Sequence, residues 1–113
     1  MLDYSNVILK SKAYQTIDLD IIRSRLSHAY LFVSVDENYL KSFSEKICEK
    51  FININESEFA EKNNLRIKKR NHPDVCFYGE EKNIDTATVS DIVEASNISP
   101  FEADKKIFVL LNV

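Results

Sequence analysis

Residues 29–35, AYLFVSV, form a nearly unbroken apolar run that passes directly into a helical pattern starting near Asp36, and no glycine separates the two. Such a run predicts a strand buried on both faces, as in a parallel sheet covered by helices. A strand followed at once by a helix is the opening of a βαβ unit. In mononucleotide-binding folds that turn cradles a phosphate with backbone N–H groups at the helix N-terminus. Here it reads Ser34-Val35-Asp36-Glu37-Asn38-Tyr39-Leu40-Lys41, and the one glycine of the chain is Gly79. Nothing in the turn has glycine's access to positive φ or its lack of bulk. Asp36 and Glu37 also put negative charge where a phosphate would arrive. The first expectation is therefore a nucleotide-binding architecture without its nucleotide chemistry.

The rest of the chain continues the alternation of helix and strand. Ser11 can cap a helix with Tyr14, Ile17 and Ile21 at helical spacing, ending near Leu26. A second helix is expected over about residues 37–53, with Leu40, Phe43, Ile47 and Phe51 in one stripe. Residues 53–71 are polar and charged, with Phe59, Leu65 and Ile67 as apolar anchors for one or two short helical turns. His72-Pro73 closes that region, because the residue before proline disfavours helix. Residues 74–78, DVCFY, predict a second strand closed by Gly79. A helix over about 86–97 follows an Asp85 or Thr86 cap, with Val89, Ile92, Val93 and Ser96 on one side. Ser99-Pro100 breaks it, and residues 106–113, KIFVLLNV, predict the third and most hydrophobic strand. A parallel strand needs crossover helices on both faces of its sheet, so a chain ending on one is expected to be the front part of a longer protein. The alternative is a complete small domain that ends on a strand.

Composition excludes several classes. At 113 residues the chain is one domain or part of one. A net charge of -3 offers no general attraction to nucleic acid or an anionic membrane. No apolar run approaches the roughly 20 residues that span a bilayer, and MLDYSNVILK lacks a signal peptide's basic-then-apolar order, so a cytoplasmic location is expected. Cys48 and Cys76 are too few for a disulfide framework and sit in apolar segments as small hydrophobes.

Three separated segments together resemble the delta-prime subunit family of the bacterial DNA polymerase III clamp loader, within the AAA+ group. Arg25-Leu26-Ser27-His28-Ala29-Tyr30-Leu31-Phe32 is similar to that family's lead into its first strand, and Asn71-His72-Pro73-Asp74 to its lead into the second. Residues 84–107, with Val89, Ile92, Ser99, Pro100, Phe101, Glu102, Lys106 and Ile107, are similar to its helix, proline turn and third strand. The resemblance covers about residues 10–113. It implies an α/β fold, a parallel sheet with flanking helices of the P-loop NTPase (AAA+) type, here with an incomplete core. The fourth strand, lid, C-terminal domain and arginine finger would lie beyond Val113.

Measured against that resemblance, both nucleotide motifs depart from pattern. With Ser34 on the first glycine of GxxxxGK[ST], Tyr39 falls on the second and Leu40 on the lysine, leaving Lys41 in the hydroxyl position. A one-residue insertion brings Lys41-Ser42 into register, but the glycines stay absent and Tyr39 fills space that close backbone approach to phosphate needs. The acidic residues that end the third strand in AAA+ enzymes, holding magnesium and placing the attacking water, correspond to Leu111 and Asn112. Leu111 cannot bind metal, and Asn112 lacks the carboxylate charge preferred around magnesium. ATP hydrolysis and a bound nucleotide cofactor are therefore not expected. Relatives with a four-cysteine zinc module would place its first cysteine near Cys48, but no CxxC follows, so no structural zinc is expected either.

Other groups read as structural. His28 and His72 lack a nucleophile or carboxylate partner at motif spacing and sit at strand entrances, where a turn hydrogen bond is the commoner role. Lys62, Arg66, Lys68, Lys69 and Arg70 form the one basic cluster, a solvated helix face or a contact for DNA backbone or an acidic partner. The resemblance implies a non-catalytic subunit that works with other clamp-loader subunits, meets DNA only through the assembled complex, and helps place the sliding clamp on primed DNA. The alternatives are a working NTPase that uses Lys41 and Ser42, or an unrelated α/β interaction module. Without a central fourth strand, residues 29–35 and 106–113 are expected to pair directly or to offer open edges to a second copy of the chain.

Overall fold

The computed structural model describes residues 4–25, 30–32, 36–54, 57–80, 84–100 and 106–111. Five helices and a parallel two-stranded sheet make a mixed α/β chain among these residues. It divides into two compact units, Met1–Ile47 and Cys48–Val113.

The first unit holds α1 (Ser5–Lys10), α2 (Lys12–Ile22) and most of α3 (Glu37–Ile52). Ser11 joins the first two helices. Its hydroxyl donates to the Ile8 carbonyl at 2.7 Å and accepts from the Tyr14 N–H at 3.2 Å, so one residue closes α1 and caps α2. Ile8 and Ile17 are buried. α1 has no counterpart among the sequence expectations, because six residues are too few to display a helical period. α2 stops at Ile22 rather than near Leu26. Ser24 takes a left-handed φ of 54°, the Arg25 N–H reaches back to the Asp20 carbonyl at 2.8 Å, and the Ser24 N–H bonds Ile21 at 3.1 Å. That is a Schellman closure with serine in the place glycine usually takes.

The expected first strand needs correction. Tyr30, Leu31 and Phe32 belong to no strand, and positions 29 and 33–35 lie outside the described residues. The Tyr30 and Phe32 rings stack at 6.1 Å with planes 9° apart, while the intervening Leu31 is 86% exposed. Alternation with period two survives, but burial on both faces does not, because no neighbouring element covers Leu31 among the described residues.

The second unit contains the end of α3, a 3-10 turn at Ser57–Phe59, α4 (Ala60–Lys68), β1 (Val75–Tyr78), α5 (Thr86–Ser96) and β2 (Ile107–Leu110). β1 and β2 run parallel in the register Val75↔Ile107 to Tyr78↔Leu110, with α5 as the crossover. The second and third expected strands are thus partners; of the residues expected to pair 106–113 with 29–35, positions 29, 33–35, 112 and 113 lie outside the described residues. Val75, Phe77, Ile107 and Val109 point to one face of the sheet and pack on Cys48, Ile52 and Ile67. Asp85 caps α5, its carboxylate accepting from the Thr88 N–H at 2.8 Å. On α4 only Ile67 of the three expected anchors is buried. Phe59 and Leu65 are exposed, and the helical neighbour four residues before Ile67, Asn63, is buried in their stead.

Candidate functional site

The start of α3 is where a phosphate would be held in a nucleotide-binding fold. Ser34 lies outside the described residues, while Asp36, Tyr39, Leu40, Lys41 and Ser42 lie within them. Asp36 is the cap: its Oδ1 accepts the Tyr39 N–H at 3.1 Å and its backbone carbonyl accepts the Leu40 N–H at 3.1 Å. The second carboxylate oxygen, Oδ2, accepts the Tyr4 hydroxyl at 3.1 Å. A helix N-terminus has unpaired donors and a positive dipole end that attract an anion, and here a carboxylate of the chain itself sits there. Glu37 adds a second negative charge in the first turn. Slight desolvation, the hydrogen bond to Asp36 and the charge of that carboxylate all push the Tyr4 phenol above its ordinary range.

Tyr39 contributes its ring as well as its amide. The Tyr4 ring meets it edge-on at 5.5 Å, and Tyr39 stacks on Phe43 at 6.1 Å. Phe43 in turn touches Phe32 at 4.6 Å, and Tyr30 beyond it donates to Asp20 Oδ2 at 3.1 Å. The space beside the helix start is thereby filled by a line of aromatic side chains. Lys41 and Ser42 lie a full turn past the start of α3, half-buried.

The other expected nucleotide position is the end of β2. Leu111 is half-buried and donates its N–H to the Tyr78 carbonyl at 2.8 Å, and Asn112 lies outside the described residues. The Leu111 backbone crosses close over Gly79, whose φ is 85°. A Cβ on Gly79 would overlap the Leu111 carbonyl oxygen and come within 3.2 Å of Ile84 Cγ1. The single glycine is therefore used for backbone against backbone. Among the described residues, no group of three or more His, Cys, Asp or Glu side chains is placed to hold a metal ion.

The sequence matches the family described as DNA polymerase III, delta subunit, over residues 9–113. The chain belongs to that family. No curated protein and no solved structure matches it. Membership ties the chain to DNA replication by DNA polymerase III and to association with other subunits of that complex. No helix among the described residues is long and apolar enough to cross a membrane.

In this delta-subunit family member, one residue of the expected basic cluster, Arg70, is drawn away from the others. Lys62, Lys68 and Lys69 are exposed and Arg66 is half-buried, but Arg70 turns back into its own unit. It pairs with Glu80 through Nε at 2.9 Å and Nη2 at 2.7 Å, donates Nη1 to the Ile67 carbonyl at 3.0 Å, and covers the Phe77 ring at 3.8 Å. Its backbone holds φ 60°, and the Asn71 N–H reaches the Arg66 carbonyl at 2.9 Å, a second Schellman closure without glycine. Arg66 and Lys68 occupy the last turn of α4, where cations complement the negative end of the helix.

Three arrangements escape the sequence reading. The Tyr4 contact with Asp36 spans 32 positions and carries no local signal. Glu80, followed by Glu81 and Lys82, belongs to no motif and becomes a partner only when β1 brings it back toward Arg70. Asn53 donates to Asn64 at 2.8 Å and accepts from the buried Asn63 at 3.1 Å, tying the end of α3 to α4. A run of asparagine in a polar segment looks like loop composition, although the spacing of Asn63 and Ile67 on one helix face was a usable signal. His72 is buried and its Nδ1 accepts the Asp74 N–H at 3.1 Å, a turn role that puts any neutral-ring proton on Nε2. His28 lies outside the described residues.

Proposed function

We propose that the chain is a delta-prime-type subunit of the clamp loader, the N-terminal part of a P-loop (AAA+) core that has kept the architecture and lost the nucleotide. Its role is architectural: it supplies a fixed surface to neighbouring loader subunits, which bind and hydrolyse ATP, and so helps place the sliding clamp on primed DNA in the cytoplasm. The observation that carries this reading is the start of α3, where the Asp36 carboxylate takes the Tyr39 N–H that a phosphate would take. An added phosphate would meet the charges of Asp36 and Glu37 with no glycine backbone to approach. Leu111, just past the end of β2 and standing where a magnesium-binding acid is required, supports the same conclusion independently.

Titration calorimetry with MgATP tests the claim directly. No heat of binding is expected up to millimolar nucleotide, and magnesium-dependent binding in the micromolar range would overturn it. Reconstitution with the remaining polymerase III subunits tests the assembly role. The chain is expected to enter the complex without contributing to its ATP turnover.

A further inference from the structure

We infer that Tyr4 is a strap that holds the start of α3 in order without a ligand, an inference that rests on the proposal of an inactive core. Helix N-termini need an acceptor for their first N–H groups, and in α3 that acceptor is one oxygen of a surface carboxylate. An exposed aspartate on its own is free to rotate away. Here its other oxygen is held by the Tyr4 hydroxyl at 3.1 Å, and the Tyr4 ring packs edge-on against Tyr39 at 5.5 Å, the residue whose N–H the carboxylate receives. One side chain thus fixes both the cap and the residue being capped.

Tyr4 is itself anchored. Its carbonyl accepts the Ile8 N–H at 2.9 Å, and Ile8 is fully buried, so the strap is the first residue of a seated helical turn. From Tyr39 the ring contacts continue to Phe43 and Phe32. A change at Tyr4 therefore reaches the buried Phe43 through contact. The match to the delta-subunit family begins at residue 9, beyond Tyr4 and Ile8, and assigns neither of them a role. The physical consequence is a helix start already organised before any partner or nucleotide arrives, which suits a subunit that stays in one conformation while its neighbours cycle.

Amide hydrogen exchange on the whole chain tests the strap, comparing Tyr39 and Leu40 in α3 with Ile92 in α5. Tyr4→Phe, which keeps the ring and removes the hydroxyl, is expected to speed exchange at Tyr39 and Leu40 about threefold. Tyr4→Ala is expected to speed it about tenfold, with Ile92 unchanged. Unchanged exchange at Tyr39 in Tyr4→Ala overturns the inference, and so does equal acceleration at Ile92, which would mark a general loss of stability. MgATP calorimetry on Tyr4→Ala/Asp36→Ser separates this inference from the one beneath it. Binding by that variant and not by the natural chain keeps the strap, as a block on a competent site, and overturns the inactive core. Absence of binding together with faster exchange supports both.

Discussion

Where the chain enters α3, no residue has glycine's freedom and the helix is closed by side chains, Asp36 from the turn and Tyr4 from 32 positions earlier. Where the chain leaves β1, the closure is made by backbone: Gly79 at φ 85° lets the Leu111 carbonyl pass over it, and Leu111 donates to Tyr78 at 2.8 Å. A phosphate-binding turn needs the second kind of opening at the first kind of place. The difference teaches that backbone freedom has been kept for a contact within the fold, while the position suited to an anion is held by the chain's own carboxylate. The left-handed positions of Ser24 and Arg70 reinforce this, since two helix ends that usually recruit glycine do without it.

The sharpest way to break the comparison is Gly79→Ala. The new Cβ meets the Leu111 carbonyl oxygen in a backbone conformation that alanine disfavours, and a loss on the order of 3 kcal/mol is expected by chemical denaturation. A loss under about 0.5 kcal/mol would show that the end of β1 has slack and that its glycine is incidental. At the opposite turn, Asp36→Ala removes a cap, with an expected cost of about 1 kcal/mol. Stability equal to that of the natural chain would mean that the Asp36 contact does not hold the helix in solution.

Substitutions at the left-handed helix ends should then differ in sign. Ser24→Gly is expected to stabilise by about 0.5–1 kcal/mol, because it relieves the left-handed cost. Arg70→Gly gains the same relief but loses the bidentate pair with Glu80 and the cover over Phe77, both partly exposed, so its net effect should be near zero or unfavourable. Equal gains at both positions would show that the Arg70 pairing contributes nothing. The smallest effect concerns alkaline pH. Burial, then the neighbouring Cys76 and the charge of Asp91, raise the Tyr78 phenol, so the folded chain holds that proton more tightly than the unfolded one. The resulting stability is complete below the ordinary tyrosine value of 10.0 and is lost as pH rises from there through the folded value. Tyr4 acts in the same direction at the other turn. Stability, measured by chemical denaturation across this range, should fall less steeply with pH in Tyr78→Phe than in the natural chain, and comparison with Tyr4→Phe tells which turn is the more alkali-sensitive.

Much of the second unit and part of the first were legible because their signals are local. Ser11 and Asp85 cap the helices expected of them, and α3 and α5 end within one residue of the expected positions, since a cap acts within one turn and a stripe repeats every three or four residues. DVCFY and KIFVLLNV hold β1 and β2 for the same reason, and the want of glycine before α3 was visible as composition. What the tertiary structure alone decided depends on residues far apart in the chain: Tyr4 on Asp36, Glu80 drawing Arg70 out of the basic cluster, Leu111 over Gly79, and the exposure of Leu31. A residue's chemistry is written at its own position, but its distant partner is chosen only when folding brings far-apart backbone together, as where Tyr4 joins the local Asp36 cap.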